Sequence, residues 1–402
     1  MQLISDEIKG FLANSSWIRK MFEAGIELKK QYGNDQVFDF SLGNPDLPPP
    51  PSVKQALEKI AGQAGQPFAL GYMPNAGYDQ VRARVAAKVA AEQDVELSAG
   101  QVVMSCGAAG GINALFRAIL TPGDEVVCPA PYFVEYDFYA GNYGAKLHAV
   151  PTRPLSFELD LPALAAAITP RTRAFIINSP NNPTGQIYSA AEIAELGKLL
   201  AAKSAEYGRV IYLISDEPYR FLNFDGVEIP SVFRHYQYSI VIGSFSKTLS
   251  LGGERIGYVA CNPAIPGVAE LVGAVILTTR ILGYVNAPAV AQKILLDCLD
   301  SQVDLNIYRR RRDVMAEVLT AAGIEFTLPR GAFYFFPKSP TADENIFIQA
   351  LLAERVLAVP GRGFGCAGYF RLTFCMDETV IRRSADGFRR AVERIGAAKG
   401  VK

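Results

Sequence analysis

Lys247 follows the apolar run Ser239-Ile240-Val241-Ile242-Gly243, within the segment Ser244-Phe245-Ser246-Lys247-Thr248. The run is short, β-branched and bounded by turn-forming residues, so it reads as a buried strand with the lysine in the loop at its end. A lysine held there loses solvation, which lowers its pKa and leaves free amine for attack on an aldehyde. A solvated surface lysine has the same local sequence, so the chemistry depends on what accompanies Lys247.

Residues of matching chemistry stand at the ends of other apolar runs. Val210–Ile214 closes in Ser215-Asp216-Glu217-Pro218-Tyr219. A carboxylate there is costly to bury unless it meets a cation or donor, and a protonated pyridine nitrogen supplies one. Val102–Cys106 leads into Gly107-Ala108-Ala109-Gly110-Gly111. These small residues open either a helix whose free N–H groups bind phosphate or a tight turn with no ligand. Phe133, in Pro131-Tyr132-Phe133, is placed to stack on a flat heterocycle or to fill the core. The stretch Asn178–Gly185 is dense in turn-forming residues, and Asn182 within it is able to aim its amide inward. Arg255, eight residues past Lys247, offers charge for a phosphate, whereas Arg371 sits in the apolar run Gly368–Phe374 and needs an anion such as a substrate carboxylate. This company makes Lys247 a candidate covalent anchor for pyridoxal phosphate.

The elements that must position these residues are legible as seven short runs: 102–106, 125–128, 146–150, 173–178, 210–215, 239–243 and 256–261. Several are apolar on both faces and alternate with helical stretches, the pattern of an α/β fold whose mostly parallel sheet lies between helices. Such sheets bind ligands at the carboxyl ends of their strands. Before them, residues 17–28 carry a helical apolar face and Pro48–Pro51 reads as a stiff connector. After about residue 290 a helix with Leu305, Tyr308, Met315 and Leu319 precedes strands near Phe333–Phe336 and Tyr369–Phe374. A final helix capped by Asp377 turns Val380, Ile381, Ser384 and Phe388 inward. The expected division is an N-terminal segment over 1–50 that joins the small domain, a large cofactor-binding domain over 51–290 and a smaller α+β domain over 291–402.

Composition narrows the function. Forty basic and forty acidic residues give zero formal charge, which removes the electrostatic case for nucleic acid or an anionic membrane. The N-terminus lacks a secretory pattern and no apolar run nears the roughly 18 residues of a membrane span. Six scattered cysteines without CxxC spacing suit reduced thiols in the cytoplasm. His148 and His235 are the two histidines, and neither has a partner at ligand spacing, so no metal is expected.

The ordered set Leu42-Gly43-Asn44-Pro45-Asp46, Asn181-Asn182-Pro183-Thr184-Gly185, Asp216-Glu217-Pro218-Tyr219, Ser244-Phe245-Ser246-Lys247, Arg255 and Arg371 resembles the class I and II aminotransferases of fold-type I, which depend on pyridoxal phosphate. The resemblance spans about residues 40–375 and implies an aspartate-aminotransferase-like fold. It implies Lys247 as the Schiff-base lysine and general base, Asp216 as partner of the pyridine nitrogen, and Tyr219 and Asn182 as donors to the ring's phenolic oxygen. Phosphate would be held by the Gly107, Ala108 and Ala109 turn, Ser244, Ser246 and Arg255, with Phe133 stacked on the ring. Tyr72 is similar to a tyrosine that reaches the phosphate of the neighbouring subunit, so a homodimer with shared active sites is implied. Arg371, with Gly43 and Asn182, resembles the clamp on the substrate α-carboxylate. The implied reaction moves an amino group between an L-amino acid and a 2-oxo acid in two half-reactions at one site.

Other features qualify this reading. In aspartate-specific members an arginine of the partner subunit holds the distal carboxylate; the aligned position here is Ile281, with Arg280 beside it. Tyr132, Phe133 and a pocket near Trp17 suit apolar or aromatic substrate side chains. Arg309–Arg312 reads as a solvated helix face, and Gly361–Gly365 as a flexible segment near the substrate mouth. A carbon–sulfur β-lyase would use the same residues, because residues outside the motifs decide the fate of a Cα carbanion. A non-enzymatic cofactor-binding regulator is the remaining alternative, and it would normally carry a DNA-binding domain for which about forty residues before the motifs leave no room.

Overall fold

The computed structural model describes residues 3–13 and 17–399. The first two residues of the expected leaderless N-terminus, and the Trp17 side chain with its expected pocket, lie outside the described residues. Among the described residues twelve strands form three sheets. In chain order they are β1 (Phe38–Asp39), β2 (Val102–Ser105), β3 (Glu125–Ala130), β4 (Lys146–Pro151), β5 (Thr172–Asn178), β6 (Tyr212–Asp216), β7 (Ser239–Ser244), β8 (Gly257–Cys261), β9 (Tyr334–Phe335), β10 (Val356–Leu357), β11 (Val359–Pro360) and β12 (Phe370–Thr373).

The seven expected runs are β2 to β8, and they make one sheet in the order β2-β8-β7-β6-β5-β3-β4. Only β8 runs against the others, pairing antiparallel with both β2 and β7. Its helices pack on both faces, one side around Val85, Phe175 and Leu196 and the other around Ile112, Phe116 and Val275. This is the α/β architecture anticipated from the doubly apolar strands.

A separate apolar cluster gathers Phe40, Tyr308, Met315, Phe335, Phe347, Phe370 and Phe388 around the three-stranded sheet β11-β12-β9. The parallel pair β1 with β10 ties the N-terminal segment to this cluster, Phe38 opposite Val356. Phe157, Tyr219, Leu222 and Phe224 pack into it from the central part of the chain.

Several local expectations change. The early helix runs one turn further, Trp17–Tyr32, and is preceded by Asp6–Ala13, whose short length hid it. The connector at Pro48–Pro51 ends early because Pro51 opens the helix Pro51–Gln63, where a missing N–H costs nothing. Asp377 caps the C-terminal helix as expected, donated to by Thr379 N at 2.8 Å, but that helix ends at Arg383 and a second covers Ala385–Lys399. Arg309–Arg312 is a solvated face only in part: Arg310 is exposed and Arg309 half-buried, but the other two are not. Arg311 and Arg312 are buried and pair with Asp46 and Asp225, the former as two parallel bonds of 2.7 and 2.9 Å. Those bonds fasten the loop after β1 and the Asp225 turn onto the helix Leu305–Ala321.

Candidate active site

The register of the large sheet sets the site. Asn178 lies opposite Asp216, and Asp216 opposite Ile242, so the carboxyl ends of β5, β6 and β7 stand side by side. A cleft of about 400 Å³ opens over them and is lined by Gly43, Ala108, Ala109, Phe133, Asn182, Asp216, Tyr219, Ser244, Ser246, Lys247, Arg255 and Arg371, among others. Gly107 stands beside it. Tyr72 does not line it: the side chain is 93% exposed on its own chain. A larger surface hollow between the helix Ala190–Tyr207 and Tyr236 holds none of these residues.

Asp216 is fully enclosed. Its Oδ2 accepts a 2.5 Å hydrogen bond from the Tyr136 hydroxyl, while its Oδ1 has no partner. Burial pushes its carboxyl up to about 7, opposed by the Tyr136 bond and assisted by the charge of Glu217. Glu217 points to the other face of the strand, as alternation requires, and is neutralised there by Arg220 at 2.9 Å and by Ser215. Asn178 donates to the Asp216 carbonyl at 2.8 Å and accepts from the Asn182 N–H at 2.6 Å, locking one strand end to the next.

Lys247 is part-buried in the turn after β7. Its Nζ lies 3.4 Å from the Gly43 carbonyl and over the Phe333 ring. Burial holds its pKa below the ordinary lysine range; Cys375 acts against that shift, and Arg255 and Arg371 add to it. The surroundings thus favour the uncharged amine more than water would.

Gly107 opens the helix Gly107–Ile119 at φ +69°, and a Cβ there would stand 2.8 Å from Arg255 Nη2. Only glycine admits that guanidinium so close to the helix start. The first-turn N–H groups of Ala108 and Ala109 have no acceptor within the helix by construction. With the Ser244 and Ser246 hydroxyls and Arg255 they form a cradle for an anion.

Arg371, on β12, is buried, and among the described residues no carboxylate pairs with it. It donates to the Asn182 Oδ1 at 3.0 Å and the Ser41 carbonyl at 2.7 Å, leaves Nε unpartnered, and is sandwiched 4.5 Å from the Tyr334 ring and 4.7 Å from the Phe364 ring. Burial lowers its pKa, since no anion offsets the lost hydration. Tyr334 also approaches Gly43, where a Cβ would fall 2.0 Å from its hydroxyl, and lies 3.3 Å from the Tyr219 hydroxyl.

Sequence reasoning missed Tyr136, Tyr334, Phe364 and Ser41. Aromatic clustering in Phe133–Tyr136 and Phe333–Phe336 was the available signal for the first two. Phe364 belongs to the segment read as flexible; it is packed instead, in the turn Gly361–Phe364, where a Cβ on Gly361 would meet the Cys366 carbonyl at 2.3 Å. Tyr132 turns away from the cleft to donate to Asp137 at 2.7 Å. Arg280 and Ile281 lie exposed at the end of the helix Val268–Ile281.

These residues suit pyridoxal phosphate on grounds of geometry. The orphaned Asp216 Oδ1 awaits a donor, the Gly107 cradle awaits a phosphate, and a desolvated amine lies in the same cleft. A cleft of this kind on a doubly wound sheet defines an enzyme of the fold-type I class.

The comparisons agree. The family model for aminotransferase class I and II matches residues 35–388, and the chain belongs to that family. It is 32% identical to the aspartate/prephenate aminotransferase of Thermus thermophilus over 92% of this chain and 94% of that one. It is 30% identical to a probable N-acetyl-LL-diaminopimelate aminotransferase of Bacillus subtilis over 88% of each chain. A crystal structure of an aminotransferase from Eubacterium rectale superposes with a TM-score of 0.94 at 37% identity, covering 98% of this chain and 99% of that one. The protein is a pyridoxal phosphate-dependent aminotransferase with an aspartate-aminotransferase-like fold.

Proposed function

We propose that Lys247 is the covalent anchor and proton carrier of this aminotransferase, and that the surrounding residues divide the remaining work. The observation that carries the reading is the fully buried Asp216, whose Oδ1 lacks a partner in the same cleft as the desolvated Lys247 amine. When bound, pyridoxal phosphate supplies an electron sink for charge developing at the substrate Cα. Asp216, held by Tyr136 and with Oδ1 unpartnered, would pair with the pyridine nitrogen and favour its protonated form. Gly107, Ala108, Ala109, Ser244, Ser246 and Arg255 would hold the phosphate, and Phe133, Asn182 and Tyr219 would hold the ring, the first by stacking and the other two by donating to its phenolic oxygen. Arg371, with Gly43 and Asn182 beside it, takes the substrate α-carboxylate. Lys247 Nζ would serve as the base that takes the proton from the substrate Cα and passes it on.

The same reading makes the enzyme a homodimer with Tyr72 reaching the partner's phosphate. Support comes from two stretches with exposed apolar side chains, Phe68, Leu70 and Tyr72 in one and Leu277, Ile281 and Tyr284 in the other, which Asn75 links by donating to the Val285 carbonyl at 2.8 Å. The division into 1–50 with 291–402 and 51–290 is supported by the separate apolar cores and the β1–β10 pair. Six free cysteines suit a cytoplasmic location, and among the described residues no helix is long and apolar enough to cross a membrane.

The relatives' names differ in substrate, so none transfers. The test is spectral: single amino acids are added to the holoenzyme without an oxo acid, and the absorbance of the aldehyde form of the cofactor is followed. Loss of that absorbance with one or more L-amino acids, and its return with a 2-oxo acid, is the expected result. No conversion with any of them would refute the reading.

A further inference from the structure

Five charged side chains line the cleft: Glu135, Asp216, Lys247, Arg255 and Arg371. The reaction just proposed employs four, and Glu135 is left without a task. Glu135 opens the short helix Glu135–Gly141, directly between Phe133 and Tyr136 in a rigid aromatic corner. Phe133 packs edge-on to Tyr136 at 5.6 Å, and Tyr136 is bonded to Asp216. The Glu135 backbone is therefore fixed relative to the cofactor's place.

Its carboxyl group is different in character from every other acid in the region. Asp137 accepts from Tyr132, Glu217 is paired with Arg220, and Asp216 accepts from Tyr136. Among the described residues no hydrogen bond or ion pair reaches Glu135, and burial alone pushes its carboxyl above the usual range. Tyr139, one helical turn on and on the same face, also lines the cleft; burial first, and then the Glu135 charge, raise its phenol. The Arg255 charge acts on Tyr139 in the opposite sense, whereas Glu135 itself has no ion pair among the described residues, so its half-buried carboxylate, with the phenol oxygen beside it, offers acceptors to a ligand.

The cations argue the same way. With Arg255 and Arg371 assigned to the phosphate and the α-carboxylate and Lys247 to the cofactor, no further lysine or arginine among the described residues lines this cleft for a second carboxylate on the substrate. A distal carboxylate would meet Glu135 as a like charge, which is repulsion built into recognition. We infer that Glu135, with the Tyr139 hydroxyl, selects amino donors whose side chain ends in an ammonium or guanidinium group, that is, basic amino acids. The inference rests on the aminotransferase reading of the cleft.

The experiment uses holoenzyme and single-turnover conversion by lysine, ornithine, arginine, norleucine, alanine and glutamate. The basic donors are expected to react with second-order rate constants at least tenfold above norleucine. In Glu135→Gln the ratio of lysine to norleucine falls about 10- to 100-fold, the loss expected for one hydrogen bond between charged groups. Glu135→Ser, smaller and equally neutral, gives the same fall if the longer amide disturbs folding. Fluorescence titration of each apoenzyme with pyridoxal phosphate separates a lost cofactor from lost selectivity. If norleucine, alanine or glutamate react but the basic donors show no advantage and neither variant moves the ratio, the assignment of Glu135 is overturned while the aminotransferase reading stands. If no amino acid reacts, both fall.

Discussion

Replacing Tyr136 by phenylalanine removes one hydroxyl from beneath the cleft and tests the charge state of Asp216. Both side chains are buried, the bond between them is 2.5 Å, and the second Asp216 oxygen has no donor. Without cofactor the carboxyl sits up at about 7, mainly through burial, with the Tyr136 bond pulling it down. A hydrogen bond to a charged acceptor contributes about 1.5–3 kcal/mol, so its loss carries the carboxyl about one to two pH units higher, to roughly 8–9. Infrared difference titration of apoenzyme, with Asp216→Asn as the blank, reads the carboxylic C=O stretch directly. The linkage has a definite sign. The folded-state pKa is raised above the unfolded value, so this group weakens the apoenzyme by about 4 kcal/mol at pH 8 and above. The penalty shrinks as pH falls through about 7 and vanishes below the unfolded value of 3.8. In Tyr136→Phe the same relief begins at higher pH. Turnover of the loaded enzyme should fall about 10- to 100-fold, as expected for loss of one charge-assisted bond. An infrared midpoint near 4 in wild type, or one unmoved by the substitution, would refute the reasoning.

Two further substitutions probe the ends of the cleft. In Lys247→Ala, borohydride treatment should no longer fix the cofactor to the chain by mass spectrometry, while some cofactor remains bound non-covalently and turnover is abolished; full activity would overturn the role of Lys247. Arg371→Lys keeps the charge but loses the planar fork to Asn182 and Ser41 and the stacking between Tyr334 and Phe364. The KM of the amino donor should rise about 10- to 100-fold, the cost of one or more charged hydrogen bonds, with a smaller change in kcat; a KM within twofold of wild type would count against the clamp.

The strands of the large sheet were legible because burial on both faces leaves an unbroken apolar run, and their ends pointed to Asp216, Ser244 and Lys247 by simple adjacency. What adjacency cannot display is a partner from another element. Tyr136 meets Asp216 across eighty residues, and Arg371 finds the Ser41 carbonyl across 330. The buried fate of Arg311 and Arg312 was hidden for the same reason, since Asp46 and Asp225 lie in distant loops. Two-residue strands such as β1 and β10 carry too little pattern to be read, and exist only because each supplies the other's hydrogen bonds. Gly361–Gly365 looked loose because glycines permit many shapes; here close packing demands the glycines at 361 and 365.

Arg371 hangs from β12 in one apolar core, whereas Asp216 and Lys247 belong to the sheet of another, and Asn182 and Ser41 clasp the arginine from either side of the seam. The bond-making apparatus and the carboxylate grip are consequently separate castings joined along a line. Glu135 and Tyr139, which line the cleft without bonding Asp216, Lys247 or Arg371, are positions where a change alters what is admitted, whereas Tyr136, Phe333 and Tyr334 touch the working groups and would retune them.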